Sequence, residues 1–363
     1  MALTEIDGSA LAASAQRLLG NRNMIVNGSC QVAQRSTSVA SVTSSGYHAV
    51  DRFKASISNL GTWTISQPAA ALAGFNKSFK VFCTTADGSP AAGDYAFITY
   101  AVEAQDLRKL AYGDSSAKAT TLSFYVKSNK TGNASIELQQ QDNSDKQVSF
   151  QYNIASADTW ERKIIRIPGD TAGVINDDTG SGIRIGWWLN SGSTYTGGSH
   201  RSTWTAEANA DRNVSNIGIG GATSDYIQIT GVQWEVGESA TEFEHRTYAD
   251  DLLACQRYYQ QISGTSDTAI FGYGRSSGTT SAIVGIPLTT PLRASPDLTC
   301  ATVAVWSGST SDTSTDAPSV TRWTASGTVL SIQWSSGISG LTNARSLVAT
   351  CSSSSTLEMD SEL

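Results

Sequence analysis

Apolar and polar residues alternate over many short stretches of this chain, and this period of two constrains the fold more than any other feature. In one stretch, Leu122, Phe124 and Val126 fall on the same face of an extended chain. Alternating stretches that predict strands occur at 119–126, 135–139, 160–167, 183–189, 217–220 and 226–236. Gly, Asn and Asp separate them, which is typical of tight turns. We therefore predict a mostly β protein, with an antiparallel β-sandwich or jelly roll.

The alternation is interrupted once, between residues 247 and 262. Thr247 can cap a helix there, with Asp250 three residues later, and Leu252, Leu253 and Tyr259 follow at helical spacing. After this segment, strands are predicted at 270–273, 282–287, 298–306 and 329–334. The predicted organisation is an N-terminal attachment segment (1–22), a jelly-roll domain (23–246), a linking helix (247–262) and a smaller β-sandwich (263–363).

The N-terminal segment carries an apolar helical face. Leu11, Leu18 and Leu19 lie on one side of a predicted helix over 9–19, which is too short to be stable alone. We expect these leucines to attach the chain to another protein or to a sister subunit.

Composition argues against several classes of protein. The formal net charge of −7 and the pI of about 5.0 disfavour a nucleic-acid partner. No apolar run approaches the ~20 residues that span a bilayer, and the N-terminus lacks the features of a secretion signal. We therefore expect synthesis in the host cytoplasm without membrane insertion.

The cysteines and histidines give no sign of a metal or cofactor site. The 5 cysteines are scattered without a CxxC pair, and the 3 histidines lie far from them. We predict buried free thiols, no cofactor and no metal. Oxygen ligands for calcium occur in two acidic loops, 142–145 and 176–178, but solvated turns explain these loops more simply.

Two patterns reminiscent of enzymes are weak. Gly274-Arg-Ser-Ser-Gly matches a nucleophile elbow, but no histidine follows Ser276 and no helical pattern follows the motif. Carboxylate pairs such as Glu103 with Asp106, or Glu235 with Glu238, would suit glycoside cleavage only at particular separations. We predict no catalytic residues.

The best candidate site is aromatic. Trp188, Tyr195, His200 and Trp204 fall in one region that is also rich in Gly, Ser and Asn. Sugars stack on exposed rings and bond to amides and hydroxyls, so these four residues form a candidate carbohydrate-binding site. The alternative is packing in the core or between subunits. Because Trp187 and Trp188 are adjacent on a strand, at least one of them should lie in the core.

Several blocks of residues resemble a known family. They include Asn21-Arg-Asn-Met-Ile-Val-Asn-Gly, Val50-Asp-Arg-Phe, Trp160-Glu-Arg-Lys, Thr230-Gly-Val-Gln-Trp-Glu-Val-Gly and Ala240-Thr-Glu-Phe-Glu-His. In this order, they are similar to tail-fibre-type and other virion appendage proteins of tailed bacteriophages, including cyanophage-like ones. The residues also suggest structural roles, since Asp51 and Arg52 could form a charge-assisted pair that closes the domain.

The resemblance implies a non-enzymatic virion structural protein with a jelly roll like a carbohydrate-binding module. It implies a homo-oligomer, a trimer, that contacts other virion proteins (a tail adaptor or nozzle, or the capsid) and recognises a glycan on the host surface. Alternatives are a tailspike that depolymerises the glycan, a capsid-decorating protein, and a free carbohydrate-binding module.

Overall fold

The computed structural model describes two compact units. The described residues are 21–142, 145–263, 269–300, 303–306, 311–314, 319–322, 329–334, 341, 343–351 and 356–363. The first unit comprises the described residues up to Asp251 together with Leu363, and the second runs from Leu252 to Glu362. The predicted attachment helix, with Leu11, Leu18 and Leu19, lies outside the described residues.

The first unit is built from fourteen strands. They are β1 (Ser38–Val42), β2 (Lys54–Ser58), β3 (Thr62–Ser66), β4 (Ala69–Leu72), β5 (Phe75–Lys77), β6 (Phe79–Thr85), β7 (Tyr95–Glu103), β8 (Thr120–Ser128), β9 (Gly132–Gln140), β10 (Lys146–Ile154), β11 (Glu161–Ile167), β12 (Ser181–Ser191), β13 (Thr205–Ala206) and β14 (Tyr226–Val236). Short 3₁₀ helices occupy Ala104–Leu110, Ser193–Tyr195 and Asn209–Asp211.

Twelve of these strands form two antiparallel sheets of six. Sheet 1 has the order β1-β3-β6-β14-β8-β11, and sheet 2 has the order β13-β10-β9-β12-β7-β2. The remaining two, β4 and β5, pair as a separate hairpin. The predicted mostly β, antiparallel sandwich is confirmed.

The core lies between the two sheets because alternate residues of each strand turn inward. Phe124 on sheet 1 and Trp187 on sheet 2 are both completely buried, and their rings meet edge to face with centroids 5.8 Å apart. Fully burying a side chain of this size stabilises the fold by about 2–3 kcal/mol. Cys30 and Cys83 are buried free thiols of the same unit.

Residues 21–28 are tied to β14 by a buried asparagine. The Asn23 side-chain oxygen accepts hydrogen bonds from the amides of Ile25 and Trp234 at 3.0 Å each, and its nitrogen donates to the Val232 carbonyl. The Trp234 indole lies in the core and donates to Thr120 Oγ1 at 2.9 Å. Both residues belong to the blocks that carry the family resemblance, and both have structural roles.

Asp51 and Arg52 also have structural roles. Asp51 accepts hydrogen bonds from the amide and the side chain of Gln34. Arg52 donates to the Ala101 carbonyl of β7 at 2.6 Å and lies over the Tyr100 ring. Both residues are at most 1% exposed, so their hydrogen bonds join neighbouring segments inside the first unit.

The described residues of the second unit form most of helix α1 (Tyr248–Gln256), which begins in the first unit, and ten strands. They are β15 (Tyr259–Ser263), β16 (Ala269–Ser276), β17 (Ala282–Pro287), β18 (Asp297–Cys300), β19 (Val303–Trp306), β20 (Ser311–Ser314), β21 (Ser319–Arg322), β22 (Val329–Trp334), β23 (Ser346–Cys351) and β24 (Thr356–Asp360). One sheet has the order β15-β24-β18 and the other β20-β19-β23-β16-β17-β22-β21. A small core includes Val284, Ile286, Leu330 and Ile332.

The linking helix is shorter than predicted. It ends at Gln256, and a turn bond from the Tyr258 amide to the Cys255 carbonyl redirects the chain into β15. Tyr259 to Ser263 then pair with β24, and Tyr259 is completely buried. The cross-strand pairing therefore outweighs the helical spacing that predicted a helix up to residue 262.

Two strand predictions are also wrong. Residues 217–220 form a loop, because Gly218 and Gly220 have φ values of +69° and +101°, and the Asp225 carboxylate accepts the Gly220 amide. The predicted strand 298–306 is two strands, β18 and β19, which belong to different sheets. Among the described residues, no helix is long and apolar enough to cross a membrane.

Candidate functional site

Two of the four predicted sugar-binding residues come together, in a buried aromatic cluster on the outer face of sheet 2. Trp188 is 0% exposed and stacks on Phe97, with centroids 4.5 Å apart, while the Tyr195 ring lies 5.2 Å away. The Arg212 guanidinium lies over the Trp188 ring at 5.0 Å. Trp187 takes the core position on the opposite face, as the adjacent pair predicted.

A buried ion pair anchors the segment that covers this cluster to sheet 2. Arg212 donates two hydrogen bonds to Glu137, from Nε at 2.9 Å and from Nη2 at 2.7 Å. Burial opposes the charge of Arg212, but the Glu137 carboxylate outweighs it and raises the pKa of the guanidinium. The segment 192–213 therefore covers this face of sheet 2, which explains the burial of Trp188.

The other two predicted residues lie apart from this cluster. His200 Nε2 is 3.0 Å from the Ser215 hydroxyl, and burial lowers the pKa of the imidazole. Trp204 donates to the Pro168 carbonyl at 2.8 Å and packs against Tyr112. Sugar binding by these four residues stays a prediction.

The candidate catalytic groups have structural partners. Ser276 of the GxSxG pattern is buried at the end of β16, where its oxygen accepts the Arg345 amide at 3.0 Å. Glu235 accepts the amide and the hydroxyl of Thr241. Glu103 accepts a hydrogen bond from Gln105 at 2.6 Å.

The two acidic loops considered for calcium meet each other. Asp142 accepts both the amide and the side-chain amide of Asn176, at 3.0 and 3.2 Å. This contact ties the loops together. Among the residues that the structure describes, no group of three or more His, Cys, Asp or Glu side chains is arranged to hold a metal ion.

An open groove of about 600 Å³ lies on the outer face of sheet 1. It runs between the tip of the β4–β5 hairpin and the segment 242–245. Its lining residues are Arg22, Ala73, Gly74, Phe75, Ser123, Tyr125, Arg162, Gly231, Glu242, Phe243, Glu244 and His245. We call it the hairpin groove.

Four rings line the hairpin groove. Phe75 is at the centre, with ring centroids 5.4 Å from Tyr125, 5.0 Å from Phe243 and 5.3 Å from His245. Phe75 is nearly buried, Tyr125 and Phe243 are half-buried, and His245 is exposed. The walls thus combine a rigid aromatic base with a ring that reaches solvent.

The groove depends on a glycine in β14. Gly231 lies at a β-bulge with φ of +59°, and a Cβ there would come within 2.8 Å of the Phe75 ring and 2.9 Å of Tyr125. Only glycine meets both conditions without strain. This explains why the motif that contains it reads Thr-Gly-Val.

The segment 240–245 is held over sheet 1 by two buried side chains of β14. Glu235 accepts the Thr241 amide at 2.8 Å, and Gln233 accepts the Glu244 amide at 2.7 Å and donates to the Glu242 carbonyl. Gln233 and Glu235 face outward while Trp234 faces the core. The Gln-Trp-Glu motif therefore serves both faces of sheet 1. Gln233 and Glu235 hold the groove wall on the outer face, and Trp234 packs in the core on the inner face.

Charged groups form the rim of the groove. Arg162 donates to the Thr241 carbonyl, and Arg22 donates to the Glu242 carbonyl at 3.5 Å. The Glu244 carboxylate accepts the amides of Asn21 and Asn23 at 2.7 Å each. An aromatic base with charged donors and acceptors at its edge can stack on an apolar face and bond to hydroxyl groups.

No protein-family model and no curated protein sequence matches the chain. Solved structures that match part of this chain include the enzymatically active domain of tailspike protein 4 of bacteriophage CBA120, at 15% identity and a TM-score of 0.32, covering 59% of this chain and 21% of that one. This chain therefore spans about a fifth of that tailspike domain.

Two further similar structures are named for sugar binding. One is a putative sugar binding protein from Bacteroides thetaiotaomicron, at 12% identity and a TM-score of 0.33, covering 60% of this chain and 100% of that one. The other is the carbohydrate-binding module TmCBM61 in complex with β-1,4-galactotriose, at 11% identity and a TM-score of 0.27, covering 60% and 100%.

Proposed function

We propose that this chain is a non-enzymatic structural protein of a bacteriophage virion appendage, of the tail-fibre type, and that its first unit binds a host-surface glycan in the hairpin groove. The groove carries the proposal, because it combines four aromatic rings with a rim of charged donors and acceptors. The sequence blocks similar to tail-fibre proteins support the virion role.

Glycan binding suits the groove better than a small apolar ligand. Arg22, Arg162 and Glu242 surround the rings, so a ligand must supply polar groups at its edge and an apolar face at its centre. A sugar ring has both: its C–H groups stack on aromatic faces, and its hydroxyls take and give hydrogen bonds.

The experiment measures binding to immobilised bacterial surface polysaccharides, followed by titration with a monovalent oligosaccharide from the best binder. A monovalent probe is needed because a polymer that binds several sites of an oligomer at once would hide the loss of affinity at each single site. Phe243→Ala and His245→Ala should each weaken binding about tenfold, as expected for a lost ring contact of about 1–2 kcal/mol.

Matched controls locate the site. Tyr273→Ala removes a ring that is 66% exposed in the second unit and should leave affinity unchanged. Tyr195→Ala and Trp204→Ala test the loop predicted from the sequence. Unchanged affinity in folded Phe243→Ala and His245→Ala, with a loss in the loop variants, would refute the groove and favour the loop.

We further propose that the protein is a homotrimer in the virion, attached through residues 1–22 to a tail adaptor or nozzle, or to the capsid. Support comes from the resemblance and from the predicted apolar face of Leu11, Leu18 and Leu19. Sedimentation at micromolar concentration should show a trimer, and a stable monomer would refute the trimer.

Deleting residues 2–20 should abolish incorporation into particles, and normal incorporation would refute the attachment role.

A further inference from the structure

A second set of side chains lies on the outer face of sheet 1, beyond the β4–β5 hairpin. The strand register places them in two rows across β6, β14 and β8. In one row Gln228 is opposite Lys80 on one side and Lys127 on the other. In the next row Tyr226 is opposite Phe82.

Both lysines are held against aromatic rings. Lys80 Nζ lies 4.4 Å from the centroid of Tyr226 and 4.9 Å from that of Phe82, and Lys127 Nζ lies 5.1 Å from that of Trp160. The Trp160 ring is fixed in turn, because its nitrogen donates to the Ala70 carbonyl at 2.7 Å. The two ammonium groups are thus positioned by the sheet and by its rings.

Neither lysine forms a salt bridge with a carboxylate that the structure describes. Among the described residues, no Asp or Glu oxygen lies within salt-bridge distance of Lys80 or Lys127, while Lys130, Lys146 and Lys163 each form such a pair. The nearby Asp158 accepts the Tyr226 hydroxyl instead. Burial and then the positive charge of Lys127 lower the pKa of Lys80, and the negative charge of Asp158 offsets part of this lowering.

Gln228 adds a third donor between them. Its Oε1 accepts the Ser78 hydroxyl at 3.2 Å, and its Nε2 bonds to none of the residues that the structure describes. Strands in a sheet are ~4.8 Å apart, so the two lysine Cα atoms, two strands apart, are separated by about 10 Å. Long lysine side chains can converge on one anion across that span.

We propose that Lys80, Lys127 and the Gln228 amide bind an acidic substituent, a carboxylate, sulfate ester or phosphate ester, of the glycan that occupies the hairpin groove. This rests on the proposed glycan binding. Tyr125 lines the groove, and Lys127 is the next outward residue on β8, about 7 Å further along the strand. One chain of sugars therefore reaches both the rings and the lysines.

The test uses the full chain with ¹³C at the lysine Cε, and assigns the signals with Lys80→Gln and Lys127→Gln. Three probes are titrated: sodium sulfate, tetragalacturonate, and the fully methyl-esterified tetragalacturonate. Sulfate should shift the Lys80 and Lys127 signals together, and tetragalacturonate should bind more tightly than its neutral ester. Raising NaCl from about 50 mM to about 500 mM should remove that difference.

The double variant Lys80→Gln/Lys127→Gln should lose about tenfold in affinity for tetragalacturonate and bind the ester as the wild type does. The matched control is Lys54→Gln, since Lys54 lies over the Tyr47 ring at 5.5 Å on sheet 2, and it should change nothing. The proposal is overturned by lysine signals that respond to neither anion, or by a double variant that binds like the wild type. Equal affinity for an oligothymidylate would overturn the glycan assignment.

The experiments distinguish a failure of the groove proposal from a failure of the anion-site proposal. If Phe243→Ala leaves affinity for both tetragalacturonate forms unchanged while the lysine signals still respond, the proposed groove is refuted and the anion site is supported. If Phe243→Ala weakens both forms but the double variant does not distinguish them, the groove is supported and the anion site is refuted.

Discussion

At the scale of single residues, the pair formed by Glu137 and Arg212 is the most consequential contact of the first unit. Both side chains are buried, at 1% and 8% exposure, and three aromatic rings surround the guanidinium. Removing one member leaves the other charge in a medium of low polarity. The pair is therefore costly to break by removing one member alone.

We expect Glu137→Leu alone to lower the free energy of unfolding by about 3–5 kcal/mol. The double variant Glu137→Leu/Arg212→Met should recover part of that loss, because the Arg212 charge is removed together with its partner, while Glu207 and Arg184 each lose a nearby opposite charge. Urea denaturation of the two single variants and the double variant measures both effects. A double variant that is as unstable as the sum of the singles would contradict this.

Asp170 predicts a pH dependence. Burial opposes its charge, but hydrogen bonds from the Ala172 amide, Lys146 and Gln140 outweigh burial and hold the pKa of the carboxyl below its ordinary value. A folded pKa below the unfolded one stabilises the protein above the unfolded pKa, and this stabilisation is lost as pH falls through the folded pKa.

Asp170→Asn should therefore lower the free energy of unfolding at pH 7 and matter progressively less as the solution is acidified below the ordinary Asp pKa of about 4. Unfolding curves of both proteins between pH 7 and pH 2 measure this difference. A difference that grows towards acid would contradict the predicted sign.

At the scale of elements, helix α1 has the cap that its sequence predicts. The Asp250 amide donates to Thr247 Oγ1 at 3.2 Å, and the hydroxyl donates back to the Asp250 carboxylate at 2.7 Å. Thr247→Ala should cost about 1 kcal/mol in thermal or urea unfolding, and Thr247→Ser should cost little. Equal stability of Thr247→Ala and the wild type would show that the cap does not contribute.

Strands whose polar and apolar residues alternate could be predicted from sequence, even where both faces are buried. The predicted range 226–236 agrees with β14, where Gln228, Thr230 and Gln233 interrupt the apolar residues, and the predicted range 282–287 agrees with β17, a short apolar run. No strand was predicted over β7, where Phe97 and Thr99 on the outer face are buried as well as the core residues. The residues that bury this outer face of β7 are distant from it in sequence.

The candidate site was harder to predict than the fold. The predicted aromatic cluster places Trp188 beside Tyr195, but Arg212 covers the ring. The hairpin groove draws on six separate stretches of the chain, from Arg22 to His245. Its one local signal is the block Glu242-Phe-Glu-His, whose rings and charges have no periodic pattern.

At the scale of the whole molecule, the division at Asp251 predicts that the first unit folds alone. The residues of both six-stranded sheets and their shared core lie before this boundary. A fragment of residues 21–251 should give a β-type circular dichroism spectrum and a cooperative melt. An unfolded or aggregated fragment would show that the first unit needs the rest of the chain.

The outer faces of the two sheets should tolerate substitution differently during evolution, because the face of sheet 2 is covered and that of sheet 1 is open. The buried Glu137–Arg212 pair leaves sheet 2 little tolerance for substitution, whereas Lys127, Arg162 and His245 reach solvent. Exposed substitutions usually alter stability by less than about 0.5 kcal/mol. Under the proposed glycan binding on sheet 1, ligand specificity can therefore drift through its solvent-facing residues while the sandwich beneath stays above its stability threshold.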